Sequence, residues 1–227
     1  MAAMLQPVVS VVVPARNEAP TVGAIVEALV AAAPRIAEVV VVDDGSEDDT
    51  AAVAGAAGAR VVRATSGPGK GQAMRQGLME ATGELIVFCD ADLVDFCAAY
   101  ATDLVDALLA HPQAKLAKAR YHRTGTGGRV NELVARPALE LLHPGLAHIA
   151  QPLGGEYAAW REVFEAVTFV DGYGVDLGLL LDIAERFGIE AIVEVDLGVR
   201  THRNRTLHEL RPQAREVLSV ALDRANR

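Results

Sequence analysis

The sequence predicts an α/β fold, a mainly parallel β-sheet with helices on both faces. Two observations carry this. Short β-branched runs alternate with stretches of helical spacing through the first half of the chain. A polar cluster follows the first, second and fourth of these runs, and parallel sheets bind ligands outside the carboxyl ends of their strands. The 227 residues suffice for one large domain. We expect a single domain over 1–227, with a nucleotide-binding half at 1–95 and an acceptor-binding half at 96–227.

Val8 to Val13 reads as the first strand and should end at Pro14, which cannot donate to a ladder. Thr21 to Ala32 follows as a helix, with Val22, Ile25, Val26 and Leu29 at helical spacing. Glu38 to Val42 is the second strand, closed by Asp43-Asp44-Gly45-Ser46. Asp48, Asp49 and Thr50 offer caps for a helix through Ala57, which Gly58 stops. Arg60 to Arg63 is a third strand, Gly69 to Ala81 a helix and Glu84 to Cys89 the fourth strand.

The second half reads differently. A helix containing Leu104 to Leu109 ends at His111-Pro112. Ala114 to Tyr121 is a strand, and Gly125-Thr126-Gly127-Gly128 a flexible loop. Asn131 to Leu142 is helical, and Pro137 should kink or split it. Val175 to Phe187 is a helix, Ile189 to Val195 a strand, and Leu207 to Asn226 a last amphipathic helix with Pro212 near its first turns.

Lys and Arg number 21 against 30 Asp and Glu, a formal charge of −9. An acidic chain is a poor general binder of nucleic acid or anionic membrane, so neither partner is expected. An anionic substrate must be met by a local basic cluster. No run approaches the roughly 18–20 apolar residues that span a bilayer. Two cysteines, Cys89 and Cys97, and no signal-peptide pattern point to a cytoplasmic protein.

Asp90-Ala91-Asp92 follows the apolar run Leu85 to Cys89. Two acids one small residue apart at a strand end suit a hard cation, Mg²⁺ or Mn²⁺, which can hold a diphosphate leaving group. Asp44 can accept a hydrogen from the edge of uracil or of guanine, or it can form an Asx-turn that caps the next helix. Glu18 suits a ribose contact and a helix cap equally. Gly67-Pro68-Gly69-Lys70-Gly71 resembles a phosphate loop without the full pattern, and places Lys70 near a helix start. His202 can complete a carboxylate–metal site. Arg200, Arg203 and Arg205 form one basic cluster, and Arg120, His122, Arg123 and Arg129 a second. Together they fit an acceptor bearing phosphate and carboxylate.

The segments Val13 to Glu18, Val42 to Ser46 and Asp90 to Asp92 resemble the GT-A fold nucleotide-sugar glycosyltransferases, whose sheet is Rossmann-like. Five further segments narrow this: Gly127 to Val130 with Glu132 to Pro137, Gln151 to Tyr157, Gly172 to Val175, Leu197 to Arg200, and His202 to Arg205. Together they resemble the glucosyl-3-phosphoglycerate synthase family, from about Val9 to Ala221. The resemblance implies transfer of glucose from UDP-glucose to the 2-hydroxyl of 3-phosphoglycerate with retention, a Mg²⁺ or Mn²⁺ cofactor, and a homodimer. It implies that Pro14, Ala15, Arg16, Glu18, Asp44, Lys70, Asp90, Ala91 and Tyr173 bind the nucleotide sugar. Asp92 and His202 would bind the metal. Asp176 would line the sugar pocket, and Asp90, Asp92, Asp176 and His202 would form the catalytic set. Gly128, Arg129, Asn131 and Asn204 would hold the acceptor.

Three positions depart from the family pattern: Ala91 replaces Ser, Asn131 replaces Thr, and Asp176 replaces Glu. They bear on donor and acceptor choice more than on reaction type. Rival readings keep GDP-mannose, another nucleotide sugar or another small hydroxy acid as substrate. Others are an inverting transferase acting on a polyprenyl phosphate, and a nucleotide-binding module without turnover. A dehydrogenase is disfavoured, because no G-x-G-x-x-G follows the first strand.

Overall fold

In the computed structural model, which describes residues 6–65, 67–123, 128–200 and 206–227, the apolar runs of the first half become four strands. These are β1 (Val9–Ala15), β2 (Glu38–Asp43), β3 (Arg60–Arg63) and β4 (Leu85–Phe88). β5 (Leu116–Arg123), β6 (Tyr157–Trp160) and β7 (Ile192–Arg200) complete one sheet of order β3-β2-β1-β4-β6-β5-β7. Neighbours run parallel except at β6, which is antiparallel to both β4 and β5. The helices are α1 (Ala19–Val30), α2 (Thr50–Ala56), α3 (Lys70–Glu80), α4 (Ala99–Ala110), α5 (Arg136–Leu142), α6 (Arg161–Glu165), α7 (Val175–Phe187) and α8 (Leu207–Ala225).

Both faces of the sheet are buried, which is why β1 and β2 read as unbroken valine runs. Val12, Val40, Val42, Ile86 and Phe88 face α3, α7 and α8. Val11, Val13, Val39, Val41 and Val87 face α1 and α4. Each such side chain contributes on the order of 1.5–3 kcal/mol by leaving water. Val22, Ile25, Val26 and Leu29 form the buried stripe of α1, as their spacing predicts. Among the described residues no helix is long and apolar enough to cross a membrane.

Three differences from the sequence reading have physical causes. β1 does not stop at Pro14 but runs on to Ala15, with Pro14 opposite Val42. Residues alternate sides in a parallel ladder: Val12 bonds toward β4 and Ala15 toward β2. Pro14 therefore faces the β4 side, where pairing has already ended at Val12–Phe88, and its missing N–H interrupts nothing. Pro137 splits its segment as expected, but through a change of helix type rather than a break. A π-turn over Asn131–Ala135 precedes α5, with the Arg136 N–H bonded to the Asn131 carbonyl. β6 was not foreseen at all, because Tyr-Ala-Ala-Trp is too short and too alanine-rich to show a period of two.

The strand order reverses at β1, whose neighbours are β2 and β4. Loops leaving such neighbours diverge and open a crevice at the carboxyl edge.

Candidate active site

The loop leaving β1 is fixed from both sides. Asn17 adopts a left-handed conformation, φ 57°, which an asparagine tolerates. Its side-chain oxygen accepts from the Glu47 N–H at 2.8 Å, and its own N–H donates to Ser46 Oγ at 3.0 Å. The Glu18 N–H donates to Thr50 Oγ1 at 2.8 Å. After β2 the two acids divide the roles that the sequence left open. Asp43 accepts from the Ser46 N–H at 3.0 Å, three residues on, and so closes the turn after β2. Asp44 instead reaches across to the Gly69 N–H at 2.9 Å and lines a cavity. Burial raises its pKa above the ordinary carboxylate value, although the Gly69 bond and Arg16 oppose this.

Lys70 opens α3, and its ammonium is the hub of the site. It contacts Asp90 Oδ1 at 2.7 Å and Asp176 Oδ2 at 2.8 Å. Burial disfavours its charge, yet the two carboxylates outweigh burial and hold its pKa well above the usual value. Asp176 is the second residue of α7, and its other oxygen accepts from the Tyr157 hydroxyl at 3.1 Å. Burial raises the Asp176 pKa, against the pull of Lys70. The carboxylate thus reaches the cluster although an aspartate is one methylene shorter than a glutamate.

The Asp90-Ala91-Asp92 turn is anchored through its backbone, since the Thr21 hydroxyl donates to the Ala91 carbonyl at 2.7 Å. Gly155 lies so close to Asp90 that a Cβ there would overlap the carboxylate. Across the cavity, Gly128 takes φ 74° and leads into Arg129. Asn131 is 2% exposed. Its amide donates to Glu132 Oε1 at 3.0 Å and accepts from the Leu153 N–H at 3.4 Å, so it ties this turn to the 150–153 loop. The Tyr173 N–H donates to Glu216 Oε2 on α8 at 2.7 Å.

A cavity of about 270 Å³ collects these elements. Every described residue of the expected site lines it: Pro14, Ala15, Arg16, Glu18, Asp44, Lys70, Asp90, Ala91, Asp92, Gly128, Arg129, Asn131, Tyr173 and Asp176. His202 and Asn204 lie outside the described residues, as do Arg203 and Arg205. Among the described residues no three His, Cys, Asp or Glu side chains form a metal cage. Asp92 offers the hard oxygen donor that Mg²⁺ or Mn²⁺ prefers, and the expected nitrogen partner is His202.

Of the first expected basic cluster, Arg200 alone is among the described residues. Arg200 is 2% exposed and paired with Glu156, its guanidinium 4.1 Å and 4.6 Å from the ring centres of Tyr100 and Tyr121. Arg120 is on the surface, 2.9 Å from Asp196. Of the second cluster's residues, Arg129 lines the cavity. Sequence reasoning assigned no individual role to Lys118, Glu156, Tyr157, Gln213 or Glu216. A lysine inside the apolar strand Leu116–Tyr121 was the one available signal, for Lys118.

Comparison with known proteins agrees with this geometry. The glycosyl transferase family 2 model matches residues 10–151. Glucosyl-3-phosphoglycerate synthase of Mycolicibacterium paratuberculosis is 43% identical over 95% of this chain and 72% of its own length. The Mycobacterium tuberculosis enzyme of that name, solved with Mn²⁺, UDP-glucose and phosphoglyceric acid, superposes with a TM-score of 0.93 at 43% identity. That match covers 97% of this chain and 80% of the solved one. The same enzyme solved with Mg²⁺ and UDP gives a TM-score of 0.92 at 42% identity, with the same coverage of both chains.

Proposed function

Because this chain belongs to the glucosyl-3-phosphoglycerate synthases within glycosyl transferase family 2, we propose that it transfers glucose from UDP-glucose to the 2-hydroxyl of 3-phosphoglycerate with retention. The observation that carries this reading is the single cavity in which the donor-side loops and the Gly128–Asn131 turn face one another across the Lys70–Asp90–Asp176 cluster.

In this reading the Pro14–Glu18 loop and Asp44 receive the uridine, the carboxylate accepting from the imide N–H. Lys70, at the first turn of α3, adds positive charge where a helix N-terminus already favours anions. Asp92 and His202 would hold Mg²⁺ or Mn²⁺, which would supply charge neutralisation for the departing diphosphate. Asp90 and Asp176 are both engaged by the Lys70 ammonium, which suits them as acceptors for sugar hydroxyls rather than as covalent nucleophiles. Arg129 and Asn204 take the phosphate and carboxylate of the acceptor. Retention then follows from front-face attack. The sugar–phosphate bond breaks, the acceptor oxygen bonds to the same face of the anomeric carbon, and the leaving phosphate oxygen takes the hydroxyl proton.

Residues 1–95 supply most of the donor side and 96–227 the acceptor side of one domain. Cys89 and Cys97 are both free, which suits a reducing cytoplasm. The exposed Leu133 and Leu141 offer apolar surface to a second copy in a homodimer.

A donor–acceptor matrix tests the reading, with UDP- and GDP-sugars set against 3-phosphoglycerate and glycerate and the products examined by NMR. The expected outcome is an α-linked product from UDP-glucose and 3-phosphoglycerate. Equal turnover of glycerate would displace the acceptor assignment, and tighter binding of GDP than UDP would displace the donor.

A further inference from the structure

Lys118 is a buried cation to which the proposed reaction gives no task. It stands in the middle of β5 and is 1% exposed. Its ammonium donates to the Gly154 carbonyl at 2.8 Å and lies 4.9 Å from the centre of the Tyr157 ring. Burial is the main influence on it and brings its pKa down to about 8, against the attraction of Asp176 and Glu156. Taking an ammonium out of water is expensive, and an apolar side chain of the same volume would serve a purely structural purpose as well or better.

Its two contacts lead to the same place. Gly154 precedes Gly155, the residue whose backbone is pressed against the Asp90 carboxylate. Tyr157 carries the hydroxyl that donates to Asp176. Asp90 and Asp176 are the two carboxylates bridged by Lys70. Lys118 therefore belongs to a set of interacting charges with Lys70, Asp90, Asp176, Glu156 and Arg200, of which Lys70, Asp90 and Asp176 line the cavity.

We propose that Lys118 is a positioning residue for glycosyl transfer. Through the Gly154 carbonyl it fixes the seat of Asp90, and its charge balances the carboxylates beneath the sugar pocket. It touches neither substrate, so its effect falls on the geometry of the reacting groups rather than on binding. This inference rests on the glucosyl-transfer reading.

Lys118→Met keeps the volume and removes both the charge and the donor. Assayed with UDP-glucose and 3-phosphoglycerate, it should lose about ten- to a hundred-fold in kcat, the scale on which small misplacements act. Both KM values should stay within about threefold, and UDP affinity by calorimetry should be unchanged. Lys118→Gln removes the charge but keeps an amide donor for the Gly154 carbonyl, so it should fold and recover part of the lost kcat. A wild-type protein inactive with this substrate pair would break the functional reading itself. A wild-type protein that is active beside a Lys118→Met of equal kcat would overturn the inference alone. So would failure of both variants to fold, which would assign Lys118 to stability.

Discussion

At its amino-terminal edge the sheet holds its charges in a net of fixed hydrogen bonds; at its carboxyl edge it sets charge against charge. On the amino side Glu38 accepts from the Ser10 hydroxyl at 2.6 Å and the Thr82 hydroxyl at 2.7 Å, and pairs with Arg60 at 3.2 Å. Arg161 spreads its guanidinium over the carbonyls of Leu78, Ala81 and Gly83 at 2.6–2.9 Å. Burial would raise the Glu38 pKa, but the hydrogen bonds from Ser10, Thr82 and Arg60 outweigh it and lower it to about 2. On the carboxyl side Asp44, Glu156 and Asp176 all have raised pKa values, with burial the chief cause. Donors that are part of the fold stabilise a carboxylate permanently. The carboxyl edge keeps its acids under strain beside a cavity, where a ligand can use them. One edge should govern stability and the other turnover.

The largest effect expected from that division is at Asp92. Asp92→Ala should lower kcat by about three orders of magnitude, the few kcal/mol of charge stabilisation that a bound cation supplies. The thermal midpoint should barely move. Excess EDTA should act on the wild-type protein in the same way, and full activity in EDTA would remove the metal from the reading.

Arg129→Ala divides the carboxyl edge itself into donor and acceptor sides. A charge-assisted contact is worth roughly 1.5–3 kcal/mol, so KM for 3-phosphoglycerate should rise about ten- to a hundred-fold at 1.4 kcal/mol per decade. UDP affinity by calorimetry should be nearly unchanged. A parallel loss of UDP binding would place Arg129 on the donor side.

Glu38→Gln is the converse test at the amino edge. Losing the ionised acceptor should cost about 1–3 kcal/mol while kcat stays at the wild-type value. The sign with pH follows from a folded-state pKa near 2 and an ordinary value of 4.5. The stabilisation is fully present above about pH 4.5 and is lost as pH falls toward 2. Wild-type and variant stabilities, measured by urea unfolding, should therefore converge in acid. A gap that persists at pH 2 would mean that Glu38 acts through packing rather than through its charge.

The same contrast explains what was legible in the sequence. The donor side was readable because each of its polar clusters follows an apolar run directly, so chain order and position in space coincide: Pro14–Glu18 after β1, Asp43–Ser46 after β2, Asp90–Asp92 after β4. The charges packed behind Lys70, Asp90 and Asp176 were not, because they are assembled across the fold. Lys118 comes from β5, Tyr157 from β6 and Glu156 from the position just before it, and β6 inserts antiparallel between the two strands that precede it in the chain, β4 and β5. Arg200 misled for the same reason. In sequence it belongs to a basic run, but in space it is stacked on Tyr100 and Tyr121 and paired with Glu156. The amino edge gave no sequence signal, since Ser10, Glu38, Thr82 and Arg161 meet only through register.

The smallest effect sharpens the comparison most, because it concerns a piece of the carboxyl edge built like the amino edge. Ala91 stands between the two acids, where the family pattern has Ser. Its carbonyl, rather than its side chain, is what the structure uses, held by the Thr21 hydroxyl at 2.7 Å. The turn's shape is therefore set by a backbone bond that substitution leaves in place. Ala91 is 4% exposed and small, so a serine adds one oxygen within reach of the cavity and disturbs little packing. Ala91→Ser should change kcat/KM by less than about threefold, under roughly 0.7 kcal/mol. Stability should shift by no more than about 0.5 kcal/mol, the scale of substitutions that touch no special feature. Steady-state kinetics with UDP-glucose decide the point. A tenfold gain would mean that a hydroxyl between the acids serves the donor directly, and the backbone alone would no longer account for this turn.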